Sequence, residues 1–291
     1  MNNPPAILVT DHLIERPAAR HLRRQVRSLL FYLLVLAIGA PFLFVFLWMV
    51  LASFKTQVQN TAYPPVLIFT PTLENYKTVL LRNPFPQFTV NSLVVAVGST
   101  MLGLVLGLPA AYSVARFRQT GLALGILAAR MAPGISYLIP WFILFTKLGL
   151  VDTYLALILT HLTVGLPLIL WTMIGFFEDI PREVEEAALV DGCSIFGTFW
   201  RIALPLTRPG IAAAAILSFI FSWNNFLFSV ILSGSQTRTL PVAVFNFMSY
   251  EEINWGGLTA AATLITLPVL VLVLFVQREI VRGLTLGAIK G

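Results

Sequence analysis

YLALILTHLTVGLPLILWTMIGFFE, residues 154–178, runs without interruption into DIPREVEEAALVDG, residues 179–192. The first segment is uncharged until Glu178 and, at about 1.5 Å per helical residue, is long enough to cross a hydrocarbon core of about 30 Å. The second concentrates acid. Together with Glu178 it holds Asp179, Glu183, Glu185, Glu186 and Asp191, six of the chain's 13 acidic residues, so a membrane span hands over to a charged loop here. Five further apolar stretches of span length lie at roughly 29–52, 90–112, 122–146, 210–232 and 257–277. The expected fold is all-α, a polytopic membrane protein with six transmembrane helices.

Composition agrees with that reading. Of 291 residues, 57% are hydrophobic and 11% charged, against about 45–50% and about 25% in soluble domains. Too few polar residues remain to cover a water-soluble globule. The first apolar stretch follows a 28-residue leader, is longer than a signal-peptide core of about 7–15 residues, and lacks a clear cleavage site, so it reads as a retained span. The chain divides into a basic leader, 1–28, a six-helix domain, 29–277, with a loop at 178–209, and a tail, 278–291.

The net charge of +6 and a pI near 9.8 are read as topology, not as nucleic-acid binding. With the N-terminus inside, one side collects Arg16, Arg20, Arg23, Arg24, Arg27, Arg116, Arg118, Arg182, Arg201, Arg208, Arg278, Arg282 and Lys290. The other holds only Lys55, Lys77, Arg82, Lys147 and Arg238. Cytoplasmic loops are the Lys/Arg-rich ones, which predicts both termini in the cytoplasm of a cell-membrane protein.

Several chemistries lack their residues. Cys193 is the only cysteine, and His12, His21 and His161 are too scattered for a zinc pattern, so no metal site is expected. Neither a G-x-x-x-x-G-K-[ST] loop nor a G-x-S-x-G elbow occurs. The chain reads as a non-enzyme without a cofactor of its own, and any ATP–Mg belongs to another subunit. Prolines at 41, 109, 133, 140, 167 and 268 fall in the spans and predict kinks in a packed bundle. Gly103/Gly107 and Gly121/Gly125 have the spacing for close helix approach.

The acidic loop carries helix signals. Pro181 suits a first turn, the acids around it complement a helix N-terminus, and Gly192 supplies a left-handed stop. Helical periodicity puts Val184, Ala187 and Ala188 on an apolar face and Arg182, Glu183, Glu185 and Glu186 on a charged one. Leu189 falls outside that apolar face, as a docking knob would. Beyond Gly192, Phe196, Phe199, Trp200, Ala203 and Leu204 recur at helical spacing, predicting a second amphipathic helix packed under the bundle before Pro205.

Glu186-Ala187-Ala188, then Gly192, then Ile202-Ala203-Leu204-Pro205 resembles the EAA signature of permease subunits of binding-protein-dependent ABC importers. The likeness continues at Asn75-Tyr76, Asn91-Ser92-Leu93, Trp223-Asn224-Asn225-Phe226 and the tail Gly283–Gly291, which is similar to that of MalG-like carbohydrate permeases. The resemblance implies a type I importer permease for a sugar or related polyhydroxylated solute, in the inner membrane. Its implied partners are a second permease, two cytoplasmic ATPase subunits and an extracytoplasmic solute-binding protein. It also implies that Glu186, Ala187, Ala188, Asp191 and Gly192 form the helix and turn seated in the ATPase, with Thr285, Gly287 and Lys290 near the same interface.

A secondary, ion-coupled transporter is the alternative, although the six stretches contain no Asp or Glu of the kind proton coupling recruits. An integral membrane enzyme is a third reading, and it lacks a clustered polar constellation. Arg130 is the one charge enclosed by a predicted span, and two readings stand: a translocation-pathway residue, or a side chain that snorkels to the interface. Trp223, Asn224 and Asn225 are candidates for contact with a hydroxylated solute, or for bonds between helices.

Overall fold

The computed structural model describes residues 17–117, 119–131, 133–249 and 252–288; within these, the side chains of 17–23, 120, 122, 127, 129–131, 276 and 278–288 fall outside the description. The described helices are α1 (Pro17–Ser53), α2 (Gln57–Thr61), α3 (Glu74–Leu81), α4 (Phe85–Phe117), α5 (Thr120–Met131), α6 (Gly134–Lys147), α7 (Tyr154–Glu178), α8 (Arg182–Val190) and α9 (Ile195–Thr198). A π-helical turn, Phe199–Ala203, leads into α10 (Leu204–Leu206), α11 (Arg208–Trp223), α12 (Leu227–Leu232), α13 (Leu240–Ala243) and α14 (Trp255–Ala288).

The described residues fall into two units, those up to Leu51 and those from Ala52 on. In the first, α1 exposes most of its apolar length, Leu29, Phe31, Phe42 and Phe46 included, an arrangement that water disfavours and hydrocarbon does not. Its helix begins at Pro17, inside the basic leader, and runs into the span without a break.

Among the described residues, four helices are long and apolar enough to cross a bilayer: Arg24–Ser53, Phe85–Phe117, Tyr154–Glu178 and Trp255–Phe275. The stretches expected at 122–146 and 210–232 are interrupted. Pro133 stands at the N-cap of α6 with φ −55° and ψ +134°, outside helical geometry, so α6 starts afresh at Gly134. The fifth stretch breaks at Asn224–Phe226, between α11 and α12. Four continuous helices and two interrupted ones are consistent with six apolar crossings.

In the second unit α4 packs against α7, and α11 lies against both. Glycine makes this possible: a Cβ at Gly103 or Gly107 would stand 2.7 or 2.9 Å from the side chain of Ile169. The other pair behaves differently, since a Cβ at Gly121 or Gly125 would meet nothing within 4 Å. A chain of polar groups runs through the bundle. His161 Nδ1 lies 2.7 Å from Ser222 Oγ, which accepts a 2.9 Å bond from Ser99, and Ser229 Oγ is 3.4 Å from His161 Nε2. This chain of bonds joins α4, α7, α11 and α12, as expected where no water is available.

Candidate functional site

The loop between α7 and α11 forms a shelf at one end of the bundle. Pro181 occupies the N-cap of α8, and Glu183 and Glu185 lie in the first turn. The helix stops in a Schellman motif: Cys193 N–H donates to Ala188 O at 2.9 Å and Gly192 N–H to Leu189 O at 3.1 Å. Gly192 has φ +90°, the left-handed region anticipated from its position, and a Cβ there would meet open space. Ser194 then caps α9, its Oγ accepting from Gly197 N–H at 3.1 Å. A 78° bend separates Ile195–Leu206 from α11.

The buried face of α8 differs from the expected one. Val184 is 42% exposed and Ala187 is exposed, whereas Glu185, placed by periodicity on the charged face, is only 6% exposed and packs inward beside Ala188. The reason is Arg116, near the end of α4. Its Nε donates to Glu185 Oε2 at 2.6 Å and its Nη2 to Oε1 at 2.8 Å, a two-pronged fork. Nη2 also donates to Phe177 O at 2.7 Å, and Tyr112 Oη to Glu185 Oε2 at 3.2 Å. Sequence reasoning missed Arg116 and Tyr112, because Arg116 was fully accounted for as a topological charge; the signal available was an acid at 185 three residues before the small Ala188.

A second correction concerns the residues after Gly192. Phe199 and Ala203 are buried as expected, but Phe196 is 70% exposed and Trp200 is exposed too. The π-helical turn takes more residues per turn than an α-helix, with Leu204 N–H bonded to Phe199 O, so a spacing of 3.6 does not carry through it. Exposed Leu189, as anticipated, is joined by exposed Val184, Val190 at 87%, Ile195, Phe196 and Trp200 along α8, α9 and the turn that follows. Glu186, Asp191 and Gly192 are exposed as well, and Ala188 is buried.

Thr285 and Gly287 lie on the backbone of α14 with side chains outside the description, Lys290 lies outside the described residues, and the Arg130 side chain does too. The three residues of the fifth stretch separate. Trp223 is buried, its Nε1 donating to Ile265 O at 3.1 Å across to α14 and its ring stacked on Phe219, which is the interhelical reading. Asn224 and Asn225 line a cleft of about 400 Å³ with Ile220, Phe221, Phe226 and Leu227. Asn225 Oδ1 caps α12 by accepting from Phe228 N–H at 3.2 Å.

The far end of α7 is tied to the segment after α12. Asp152 Oδ1 accepts from Gly234 N–H at 2.7 Å and from Thr237 N–H and Oγ1 at 2.9 and 2.7 Å, and Oδ2 accepts from Gln236 N–H at 3.2 Å. Partial burial pushes this carboxyl up, but the donors, Thr237 Oγ1 foremost, outweigh it and hold the carboxyl below the usual carboxylate range. Asn91 donates to Gln236 O and Arg238 O, both at 2.9 Å, and Ser92 Oγ accepts from Leu240 N–H at 2.8 Å. The Asn91-Ser92 pair noted in the sequence thus anchors a loop.

Residues 103–286 match the protein family described as binding-protein-dependent transport system inner membrane component. The chain is 38% identical to the probable ABC transporter permease protein y4oR of Sinorhizobium fredii, over 92% of this chain and 97% of that one. It is 36% identical to the trehalose/maltose transport system permease protein MalG of Thermococcus litoralis, over 86% and 92%. Among solved structures, a bacterial ABC transporter involved in the import of the acidic polysaccharide alginate contains a similar chain, with a TM-score of 0.71, 20% identity, and coverage of 90% of this chain and 98% of that one.

Proposed function

The chain belongs to the binding-protein-dependent transport system inner membrane components, and from that premise we propose that it is the permease subunit of an ATP-driven importer of a sugar or related polyhydroxylated solute. It pairs with a second permease, receives solute from an extracytoplasmic binding protein, and leaves ATP–Mg binding and hydrolysis to two cytoplasmic ATPase subunits. Both termini lie in the cytoplasm, as the Lys/Arg distribution favours. Family membership removes the footing of the ion-coupled alternative.

The observation that carries this reading is the shelf. Its apolar residues, Val184, Leu189, Val190, Phe196 and Trp200, are exposed at the end of the bundle, although α8 itself is tied to α4 by a nearly buried ion pair. A surface that is both apolar and fixed in orientation suits a permanent protein partner better than water or lipid. In this reading Glu186, Ala187, Leu189 and Asp191 touch the ATPase, Ala188 and Gly192 set the angle of the helix, and Thr285, Gly287 and Lys290 contact the same subunits. The sugar is inferred from the trehalose/maltose relative. Asn224 and Asn225, at the interrupted fifth span, offer amide groups to hydroxyls.

The test is reconstitution of the chain with its partner permease and ATPase subunits in proteoliposomes, using radiolabelled trehalose and maltose with the cognate binding protein. Uptake is expected only with ATP on the ATPase side and binding protein on the other. Uptake driven by an ion gradient without ATP would overturn the assignment.

A further inference from the structure

Coupling by a docked helix has a mechanical requirement that docking alone does not meet. If α8 could swivel relative to the spans, closure of the ATPase pair would move the helix and leave the pathway behind. Along the chain α8 is joined to α7 through Asp179, Ile180 and Pro181, and to α11 through the turn at Gly192 and the bend before Arg208. It has no nearby covalent link to α4, the helix packed along α7 and α11.

The missing link is a side-chain one. Among the described residues, Glu185 is the α8 side chain that hydrogen-bonds to a spanning helix, and every one of its partners lies on α4. The geometry points to Arg116 and Glu185 as positioning residues for energy transfer: their ion pair fastens the coupling helix to α4, so that the two move as one body. This inference rests on the importer reading above.

Three features separate a fastening from an ordinary ion pair. The first is that both side chains are almost excluded from solvent, 11% and 8% exposed, where a pair is weakly screened and where losing one partner strands a charge. A second is the two-pronged contact, which fixes the angle between the guanidinium and carboxylate planes, whereas a single ammonium contact leaves a pivot. Third, the Nη2 group that holds Glu185 also holds the carbonyl of Phe177, the penultimate residue of α7. One guanidinium therefore joins the ends of α4 and α7 to the first turn of α8. The Tyr112 ring, 5.4 Å from Phe177 and 5.1 Å from Phe199 between centroids, continues this junction into the apolar core beneath the shelf.

The experiment uses the full transporter in proteoliposomes and compares Arg116→Lys, Glu185→Gln and the double variant Arg116→Met/Glu185→Met. Assembly is read by co-purification with the ATPase subunits, and coupling by ATP hydrolysed per solute imported. Arg116→Lys keeps the charge and loses the fork. It is expected to co-purify as the unaltered chain does, yet to hydrolyse about tenfold more ATP per solute imported, the change that ~1.4 kcal/mol of lost coupling produces. Glu185→Gln is expected to shift the ratio the same way. The double variant strands no buried charge, so it reports on the fastening even where a single variant fails to accumulate, and it too is expected to raise the ratio. A purely structural role would alter the amount of complex but not the ratio per complex. An unchanged ratio in Arg116→Lys, or in the double variant where the single ones do not accumulate, overturns the fastening. Failure of the unaltered chain to co-purify with the ATPase overturns the importer reading instead.

Discussion

Asp152 and Thr237 stand 85 positions apart, yet Thr237 gives the same carboxylate oxygen both its N–H, at 2.9 Å, and its hydroxyl, at 2.7 Å. Asp152 itself has φ +60°, a left-handed conformation that Asp and Asn tolerate better than other side chains. A loop before α7 is thereby closed onto a loop after α12, at the end of α7 remote from the shelf.

Replacing Asp152 by Asn keeps the backbone preference and removes an acceptor and the charge. Asp152→Asn is expected to loosen 233–239 while leaving α8 untouched, seen as faster labelling of an added Ser235→Cys thiol. The pH dependence follows from the lowered carboxyl. Its folded-state pKa lies below the unfolded one, so its contribution is complete above the unfolded pKa near 3.8 and is lost as pH falls through the folded value. Labelling at Ser235→Cys by a pyridyl disulfide, which reacts at acid pH, taken relative to a free cysteine peptide at each pH so that the thiol's own ionisation cancels, is thus expected to be flat from neutral pH down to that range and to rise below it, whereas in the Asp152→Asn background that step disappears.

The two glycine pairs predict opposite outcomes from the same substitution. At Gly107 a new Cβ meets the branched carbon side of Ile169, so Gly107→Ala forces α4 and α7 apart and costs about 1–3 kcal/mol as overpacking does. Ile169→Val removes the Cδ1 that a Cβ at Gly103 would meet at 2.7 Å and leaves the Cγ2 facing Gly107 in place, so it is expected to recover part of the loss in Gly103→Ala and none in Gly107→Ala. Gly121→Ala meets open space and gains about 0.5–1 kcal/mol of helix propensity. Detergent thermal midpoints distinguish the two; equal shifts at both sites would contradict the α4/α7 packing.

How far the sequence could be read depended on whether one residue's own neighbours determine its environment. The four continuous spans, Gly192 as a left-handed stop, and Leu189 as an exposed apolar residue all follow from local composition and spacing, and the structure agrees, whereas the stretches at 122–146 and 210–232 are broken. Glu185 does not, because its burial depends on Arg116, 69 positions away, and periodicity can only record that it is charged. Phe196 and Trp200 failed for a different reason: the wide turn at Phe199–Ala203 breaks the phase on which the assignment rested. Trp223 offered both stacking and hydrogen bonding to a solute, and only the position of Ile265 decides that its N–H is already taken.

Cys193 provides a topological probe because it is the only thiol and lies, half-buried, at the turn after α8. With the shelf in the cytoplasm, a membrane-impermeant maleimide should label it in inside-out vesicles and spare it in intact cells. Bound ATPase subunits should slow the labelling. Strong labelling from outside sealed cells would invert the topology and remove the shelf from reach of any cytoplasmic partner.

Gly192 tests the angle at which the shelf is presented. Because a Cβ there meets nothing within 4 Å, substitution acts through the backbone alone, and a left-handed conformation costs roughly 1–2 kcal/mol for a residue with a side chain, less for Asn and more for a β-branched one. Relieving that strain means abandoning φ +90°, which breaks the Cys193-to-Ala188 bond and turns α9 relative to α8. Retention of the ATPase subunits should therefore fall in the order Gly, Asn, Ala, Val, with Gly192→Val inserted normally, poorly associated and nearly inactive in uptake. Ala187→Gly, on the exposed face of α8, should be milder, because it removes one methyl and leaves the turn intact. Reversing the charge at Glu186 probes the same surface without touching the backbone, and its effect should weaken with rising salt while that of Gly192→Val does not. Full assembly and native uptake in Gly192→Val would mean that the turn's angle plays no part in transmission.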